Sequence, residues 1–129
     1  MALVLIVEDN PINRELAAEI VQAAGCTVAT ANDGEQALMR MTQETFDLVL
    51  MDWHMPVMDG LTATRRLRVT EEATGGARLP VIALTASVLP GDREACAAAG
   101  MDGFVAKPFT YEELVRLLDR WIPARSNAT

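Results

Sequence analysis

The sequence predicts an α/β protein, a doubly wound five-stranded parallel sheet in the strand order 2-1-3-4-5. Three observations carry this. Short apolar runs recur along the chain without polar alternation, the pattern of strands buried on both faces. Each run precedes a stretch whose apolar residues have helical spacing, and alternating strands and helices give parallel strands joined by right-handed crossovers. Three runs end in charged residues, and in open parallel sheets the ligand site lies beyond the strand tips where the strand order reverses. Order 2-1-3-4-5 brings strands 1 and 3 together at that point.

Leu3–Val7 is the first strand. Asn10 and Pro11 open the first helix as N-cap and first helical residue. Leu16, Ala17, Ile20, Val21 and Ala24 give that helix an apolar face, and Gly25 ends it. Cys26–Ala31 is the second strand. Asn32-Asp33-Gly34 turns into a helix running through Leu38 and Met41, and Phe46–Met51 is the third strand. The loop from Met55 to Gly60 leads into a helix over roughly residues 60–70. Residues 71–78 are polar and contain Gly75-Gly76, so they read as a mobile connection. Pro80–Leu84 is the fourth strand, Pro90–Ala99 an alanine-rich helix ended by Gly100, and Phe104–Ala106 the fifth strand. Thr110 and Glu113 form a capping box before the last helix, whose Leu114, Leu117, Leu118 and Trp121 share one face. Residues 1–129 read as one domain with a core over about 3–122 and a frayed tail at 123–129.

With 129 residues, half of them hydrophobic, the chain can bury a sizeable single core. A net charge of −7 argues against direct nucleic-acid binding, which needs a basic face. No apolar run approaches the ~20 residues that cross a bilayer, so no membrane contact by this domain is expected. Leu3–Val7 lacks a basic flank and runs straight into Glu8, unlike a signal peptide. Cys26 and Cys96 are spaced like neither a disulfide framework nor a metal site, which fits a cytoplasmic chain.

The charged strand ends form a constellation. Glu8 and Asp9 follow the first strand, Asp52 the third and Lys107 the fifth, with Thr85 at the end of the fourth. Clustered carboxylates repel, and burial raises the cost of ionising them, so a cation is the usual remedy. Oxygen ligands without a nearby Cys suit Mg²⁺, or Mn²⁺ in the same role, which holds one or two carboxylates plus a phosphate oxygen. Lys107 adds a point charge, and Thr85 a hydroxyl and a backbone N–H. Metal, ammonium and hydroxyl around one pocket fit a phosphoryl group, whose transfer depends mostly on positioning and charge neutralisation. An Asp carboxylate can be the nucleophile and form an aspartyl-phosphate.

Several motifs carry a resemblance. Glu8-Asp9, Met51-Asp52 followed by Met55-Pro56 and Asp59-Gly60, Leu84-Thr85-Ala86 and Lys107-Pro108-Phe109 resemble the receiver domains of two-component signalling, over about residues 3–122. Val7-Glu8-Asp9-Asn10-Pro11, Ala83-Leu84-Thr85-Ala86 and Ala99-Gly100-Met101-Asp102 are most similar to receivers attached to hybrid sensor histidine kinases. The resemblance implies a flavodoxin-like (βα)5 fold and a signalling domain that catalyses its own phosphorylation and dephosphorylation rather than a classical enzyme. Asp52 would accept the phosphoryl group from a phosphohistidine. Asp9, Asp52 and the backbone carbonyl of His54 would ligate Mg²⁺, with Glu8 acting through water. Lys107 and Thr85 would hold phosphoryl oxygens. Thr85 and Phe104 would form the switch, acting on the face of helix 4, strand 5 and helix 5. The Lys107–Pro108 bond would be cis, which X–Pro bonds tolerate. The partners implied are a sensor histidine kinase, a histidine phosphotransfer domain, or both.

Each sharp reading has a plain rival. His54, the only histidine, reads as a loop residue at the pocket mouth, and together with Ser87 it is expected to tune the lifetime of the phosphorylated state. Phe104 is either a rotameric switch or a core aromatic. Ile12, early in helix 1, either docks a helical phosphotransfer partner or packs in the core. The chain reads as the receiver of a hybrid kinase or as a stand-alone single-domain response regulator. An aspartate-nucleophile phosphatase would need a second Asp two residues after Asp52, where His54 stands. A flavin carrier would need a Thr/Ser/Gly-rich phosphate loop after strand 1, where Glu8-Asp9-Asn10-Pro11 stands.

Overall fold

The computed structural model describes residues 2–86 and 89–123. Five strands, β1 (Leu3–Val7), β2 (Thr27–Ala31), β3 (Leu48–Asp52), β4 (Val81–Thr85) and β5 (Gly103–Ala106), form one parallel sheet in the order 2-1-3-4-5. Five helices alternate with them: α1 (Pro11–Ala23), α2 (Gly34–Gln43), α3 (Gly60–Thr74), α4 (Asp92–Ala99) and α5 (Tyr111–Trp121). This is the fold class that the sequence predicts.

Successive strand residues point to opposite faces, and the core divides accordingly. Leu5, Val7, Val49, Met51, Val81 and Ala83 pack on one face with Ala37 of α2, Leu61, Ala63 and Leu67 of α3, and Cys96 and Ala99 of α4. Val4, Ile6, Leu48, Leu50, Ile82, Leu84 and Val105 pack on the other with Ala17, Ile20 and Val21 of α1 and Leu114 and Leu118 of α5. The residues lining both faces of β1, β3 and β4 are almost fully buried, which is why those strands read as unbroken apolar runs.

The helix starts follow their capping residues. The Asn10 side chain accepts from Ile12 N and Asn13 N, and Asp33 accepts from Gln36 N. Asp59 accepts from Thr62 N, and Thr110 and Glu113 complete the capping box of α5. Several boundaries differ from the sequence reading. Phe46 is buried ahead of β3 rather than within it, and β4 begins at Val81. Pro80 stays outside β4, though its carbonyl accepts from Val49 N. Helix α4 starts at Asp92 rather than Pro90.

The main correction concerns residues 71–78. Helix α3 runs on to Thr74 and stops at Gly75, whose φ of 68° is the left-handed cap that glycine adopts freely. The segment after Gly75 is anchored by charge. Arg68 donates to the carboxylates of Glu71 and Asp102 and to the carbonyls of Leu79 and Gly100, all at 2.7–2.9 Å. Arg78 donates to Asp102 and to Gly100 O, Leu79 N to Glu71, and Val81 N to Asp102. This network ties the end of α3 to the starts of β4 and β5. Leu16, expected on the apolar face of α1, is 46% exposed, because Ala17, Ile20 and Val21 occupy the buried stripe. Residues 124–129 of the expected tail lie outside the described residues.

Candidate functional site

Parallel register places the charged residues together. Val7 pairs with Met51, so the next residues along the two strands, Glu8 and Asp52, stand side by side at the switch point. Asp52 and Thr85 are the last residues of β3 and β4, and Lys107 directly follows β5. The alternation of the chain sends Glu8 inward, 1% exposed, while Asp9 is exposed. Asp52 is 6% exposed and Thr85 fully buried. Ligand atoms of Glu8, Asp9 and Asp52 all lie within 4.8 Å of one another.

Lys107 Nζ sits 2.5 Å from Glu8 Oε1 and 3.4 Å from Asp52 Oδ1. The lysine is the only one in the chain. Its backbone N–H donates to Thr85 O at 2.8 Å, and the Lys107–Pro108 peptide is cis. Burial pushes the Asp52 carboxyl up to about 7, with Glu8 beside it adding to the rise against the pull of Lys107. Burial also opposes ionisation of Glu8, but its contacts with Asp52 and Lys107 outweigh this and hold its carboxyl below the ordinary value. One ammonium therefore faces two buried carboxyls, of which Asp52 is the harder to ionise.

Glu8 Oε2 is buried without a hydrogen-bond partner among the described residues. A buried carboxylate oxygen left unsatisfied costs ~1–3 kcal/mol or more. An oxygen-only cluster with one orphaned oxygen and one exposed carboxylate fits a hard divalent cation, which Glu8, Asp9 and Asp52 could hold.

The β3–α3 loop is held tightly under Asp52. Gly60 N donates to Trp53 O, and Gly34 N donates to Met58 O. A Cβ at Gly60 would lie 2.2 Å from the backbone oxygen of Asp52, and one at Gly34 would lie 2.7 Å from Met58 O. Val57, 76% exposed, has φ of 71°, with Met58 N donating to Pro56 O around it. A β-branched residue there is strained. The His54 ring is exposed and stacks on Trp53, with centroids 4.8 Å apart. Phe104, half-buried on β5, carries the Arg93 guanidinium 5.5 Å above its ring. Ser87 lies outside the described residues.

One contributor escaped the sequence reading. Arg14 Nη1 donates to Glu8 O at 3.0 Å, bracing the tip of β1 from the first turn of α1. Its position on the helix, one turn beyond the N-cap, was the only available signal.

Residues 4–119 match the response regulator receiver domain. The chain belongs to that family. The receiver is 39% identical over 121 residues to hybrid signal transduction histidine kinase M of Dictyostelium discoideum, covering 92% of this chain and 5% of the kinase. It spans only 5% to 16% of the length of such curated relatives. It is 43% identical, with a TM-score of 0.84, to the receiver domain of sensor histidine kinase PA1611 from Pseudomonas aeruginosa, solved with magnesium coordinated in the active-site cleft, over 95% of this chain and 98% of that one. It is 26% identical, with a TM-score of 0.90, to the receiver of Ssk1 from Saccharomyces cerevisiae, solved with the histidine phosphotransfer protein Ypd1, over 97% and 91% of the two chains. The family is a signalling domain of two-component systems and not a classical enzyme. Among the described residues no helix is long and apolar enough to cross a membrane.

Proposed function

We propose that this receiver is a phosphorylation switch in which Asp52 takes a phosphoryl group from a kinase phosphohistidine and passes it to a histidine phosphotransfer domain or signals through the α4–β5–α5 face. The observation that carries this is the Lys107 ammonium poised between Glu8 and Asp52 at the strand tips, with Glu8 Oε2 unsatisfied. An Asp52 oxygen attacks phosphorus, the P–N bond breaks, and the imidazole leaves with the electron pair and takes up a proton. Asp9, Asp52 and the His54 carbonyl would hold Mg²⁺, with Glu8 acting through water, and the ion would supply charge neutralisation; Mn²⁺ has the same ligand preferences. Lys107 moves from Glu8 to a phosphoryl oxygen, and the Thr85 hydroxyl closes on another, drawing Phe104 inward. His54 and Ser87 set how fast water reaches the acyl phosphate. The magnesium-bearing PA1611 receiver supports the metal by analogy.

Hybrid kinase relatives favour relay over a stand-alone regulator, and a cytoplasmic placement goes with that partnership. The docking surface is beside the site. Ile12 is 75% exposed, and a cleft of about 310 Å³ lies between Asn13 and Leu16 of α1 and Lys107, Pro108 and Phe109. That apolar rim suits the helical surface of a phosphotransfer partner. Ile12→Glu is expected to slow transfer to such a partner about tenfold while leaving phosphorylation by acetyl phosphate unchanged. Equal losses in both assays would remove the docking role.

The direct test is intact mass after incubation with Mg²⁺ and acetyl phosphate. One added phosphoryl group is expected, absent from Asp52→Ala and after chelation. Absence of the adduct, together with no change in tryptophan fluorescence on adding beryllofluoride, would overturn the assignment.

A further inference from the structure

The Glu8–Asp9 peptide carries both carboxylates on the β1 side of the site, and one side chain reaches it from outside the strand ladder. We infer that Arg14 is a positioning residue for a divalent cation: by holding the Glu8 carbonyl it fixes the peptide plane from which the Glu8 and Asp9 side chains leave. This role rests on the metal reading above, and it belongs to a residue that would touch neither the ion nor the phosphoryl group.

β1 ends at Val7, so Glu8 and Asp9 lie beyond the regular ladder. The Glu8 N–H still donates to Ala31 O, at the end of β2, at 3.1 Å. The Glu8 carbonyl accepts from Arg14 Nη1 at 3.0 Å. That oxygen belongs to the planar unit that includes the Asp9 N–H. The two bonds flank Glu8 and hold the main chain where its carboxyl turns inward, 1% exposed, and that of Asp9 stays at the surface. Among the described residues the Asp9 side chain has no hydrogen bond or ion pair of its own, so its place depends on its main chain.

The start of α1 sets up the reach of Arg14. Asn10 caps the helix by accepting from Ile12 N and Asn13 N, Pro11 is its first residue, and Arg14 N donates to Asn10 O. The arginine main chain is thus fixed by the opening helical bond, and its half-buried side chain runs back to the strand that the helix follows. Three carboxylates cluster at the strand tips, yet among the described residues Arg14 forms an ion pair with none of them. A guanidinium paired with those carboxylates would compete with a cation for them. One bound to the carbonyl orients them and leaves their oxygens open. When Lys107 turns from Glu8 to a phosphoryl oxygen, the main-chain bond from Arg14 stays in place.

The test is a Mg²⁺ titration of the full isotope-labelled chain, followed through the backbone amide shifts of residues 8, 9, 52 and 53. Arg14→Met keeps an unbranched apolar stem and removes both the donor and the charge. Loss of a positive charge near the site would by itself favour a cation. Loss of a group that orients metal ligands weakens binding, commonly tenfold or more. The two effects have opposite signs, so weaker binding isolates the positioning role. Arg14→Met is expected to bind Mg²⁺ about tenfold more weakly. Arg14→Lys, which keeps a donor on a long stem, should bind more tightly than Arg14→Met although it restores the charge. The thermal midpoint in chelator is the control for a purely structural role. A lowered midpoint with wild-type Mg²⁺ affinity, or Arg14→Met binding as tightly as the wild type or more so, would overturn the role of Arg14 and leave the metal site standing. A wild-type chain that shows no saturable shifts with Mg²⁺ would overturn the metal reading, and the role of Arg14 with it.

Discussion

Replacing Asp52 by Asn removes a buried carboxyl that the metal-free protein struggles to ionise. Its folded-state value lies near 7 against an ordinary 3.8, for reasons of burial first and Glu8 second. Below the ordinary value both folded and unfolded chains hold the proton, and the native state keeps its full stability. As pH rises, the unfolded chain ionises first, so native stability falls and reaches its floor above about pH 8. The rise from 3.8 to about 7 corresponds to a ceiling of ~4 kcal/mol. The carboxylate relaxes toward solvent as it ionises, so roughly half of that, ~2 kcal/mol, is expected. Asn cannot titrate. Asp52→Asn should therefore match the wild type near pH 4 and exceed it by ~2 kcal/mol above about pH 8. Glu8 has the opposite sign, its lowered value contributing stability that is lost as pH falls, but Glu8 is present in both proteins. Urea unfolding with a chelator across this range measures the difference. A gap independent of pH, or a less stable variant at high pH, would refute the reasoning.

The same geometry has other consequences. Because a cation must displace the Asp52 proton, Mg²⁺ affinity should fall about tenfold per pH unit below about 7 and level off above it; a titration of tryptophan fluorescence reads this, and a flat profile would count against a protonated Asp52. Arg68→Ala leaves Glu71 and Asp102 without their shared partner and should cost ~3–5 kcal/mol in urea unfolding, with Arg68→Lys recovering little because one ammonium cannot serve four acceptors. Gly60→Ala drives a methyl against the backbone of Asp52 and should cost more than ~3 kcal/mol or abolish folding, a result checked by circular dichroism.

How much the sequence revealed depends on the range of the forces involved. β1, β3 and β4 were legible because both faces of each are buried, which leaves an apolar run. Their ends slipped by one or two residues where a flanking residue is apolar for other reasons: Phe46 is buried outside β3, and Pro80 can offer only its carbonyl. The site was legible in outline, since parallel register alone brings the residues after Val7, Met51 and Ala106 to one end of the sheet. Residues 71–78 misled because their glycines and polar side chains signal a loop. The anchor is Arg68, whose partners at Gly100 and Asp102 are 32 and 34 residues away. No local pattern reports a bond over that distance. Arg14 was overlooked because an exposed-looking helical arginine gives no sign that it reaches back to a strand carbonyl.

The two ends of the sheet answer the same problem differently, and the difference separates structure from function. At the starts of β4 and β5, Arg68, Arg78, Glu71 and Asp102 are saturated with one another and with main-chain groups. At the tips, two buried carboxyls share one ammonium, one oxygen has no partner among the described residues, and Asp52 ionises far less readily than an ordinary aspartate. Folding alone does not require the second arrangement, since apolar residues at Glu8 and Asp52 would extend the core at no electrostatic cost. An arrangement left unsatisfied in this way fits the groups that the proposed switch would bring from outside, a cation and a phosphoryl oxygen. The saturated network would hold the other ends of two of these strands in place as that charge arrived.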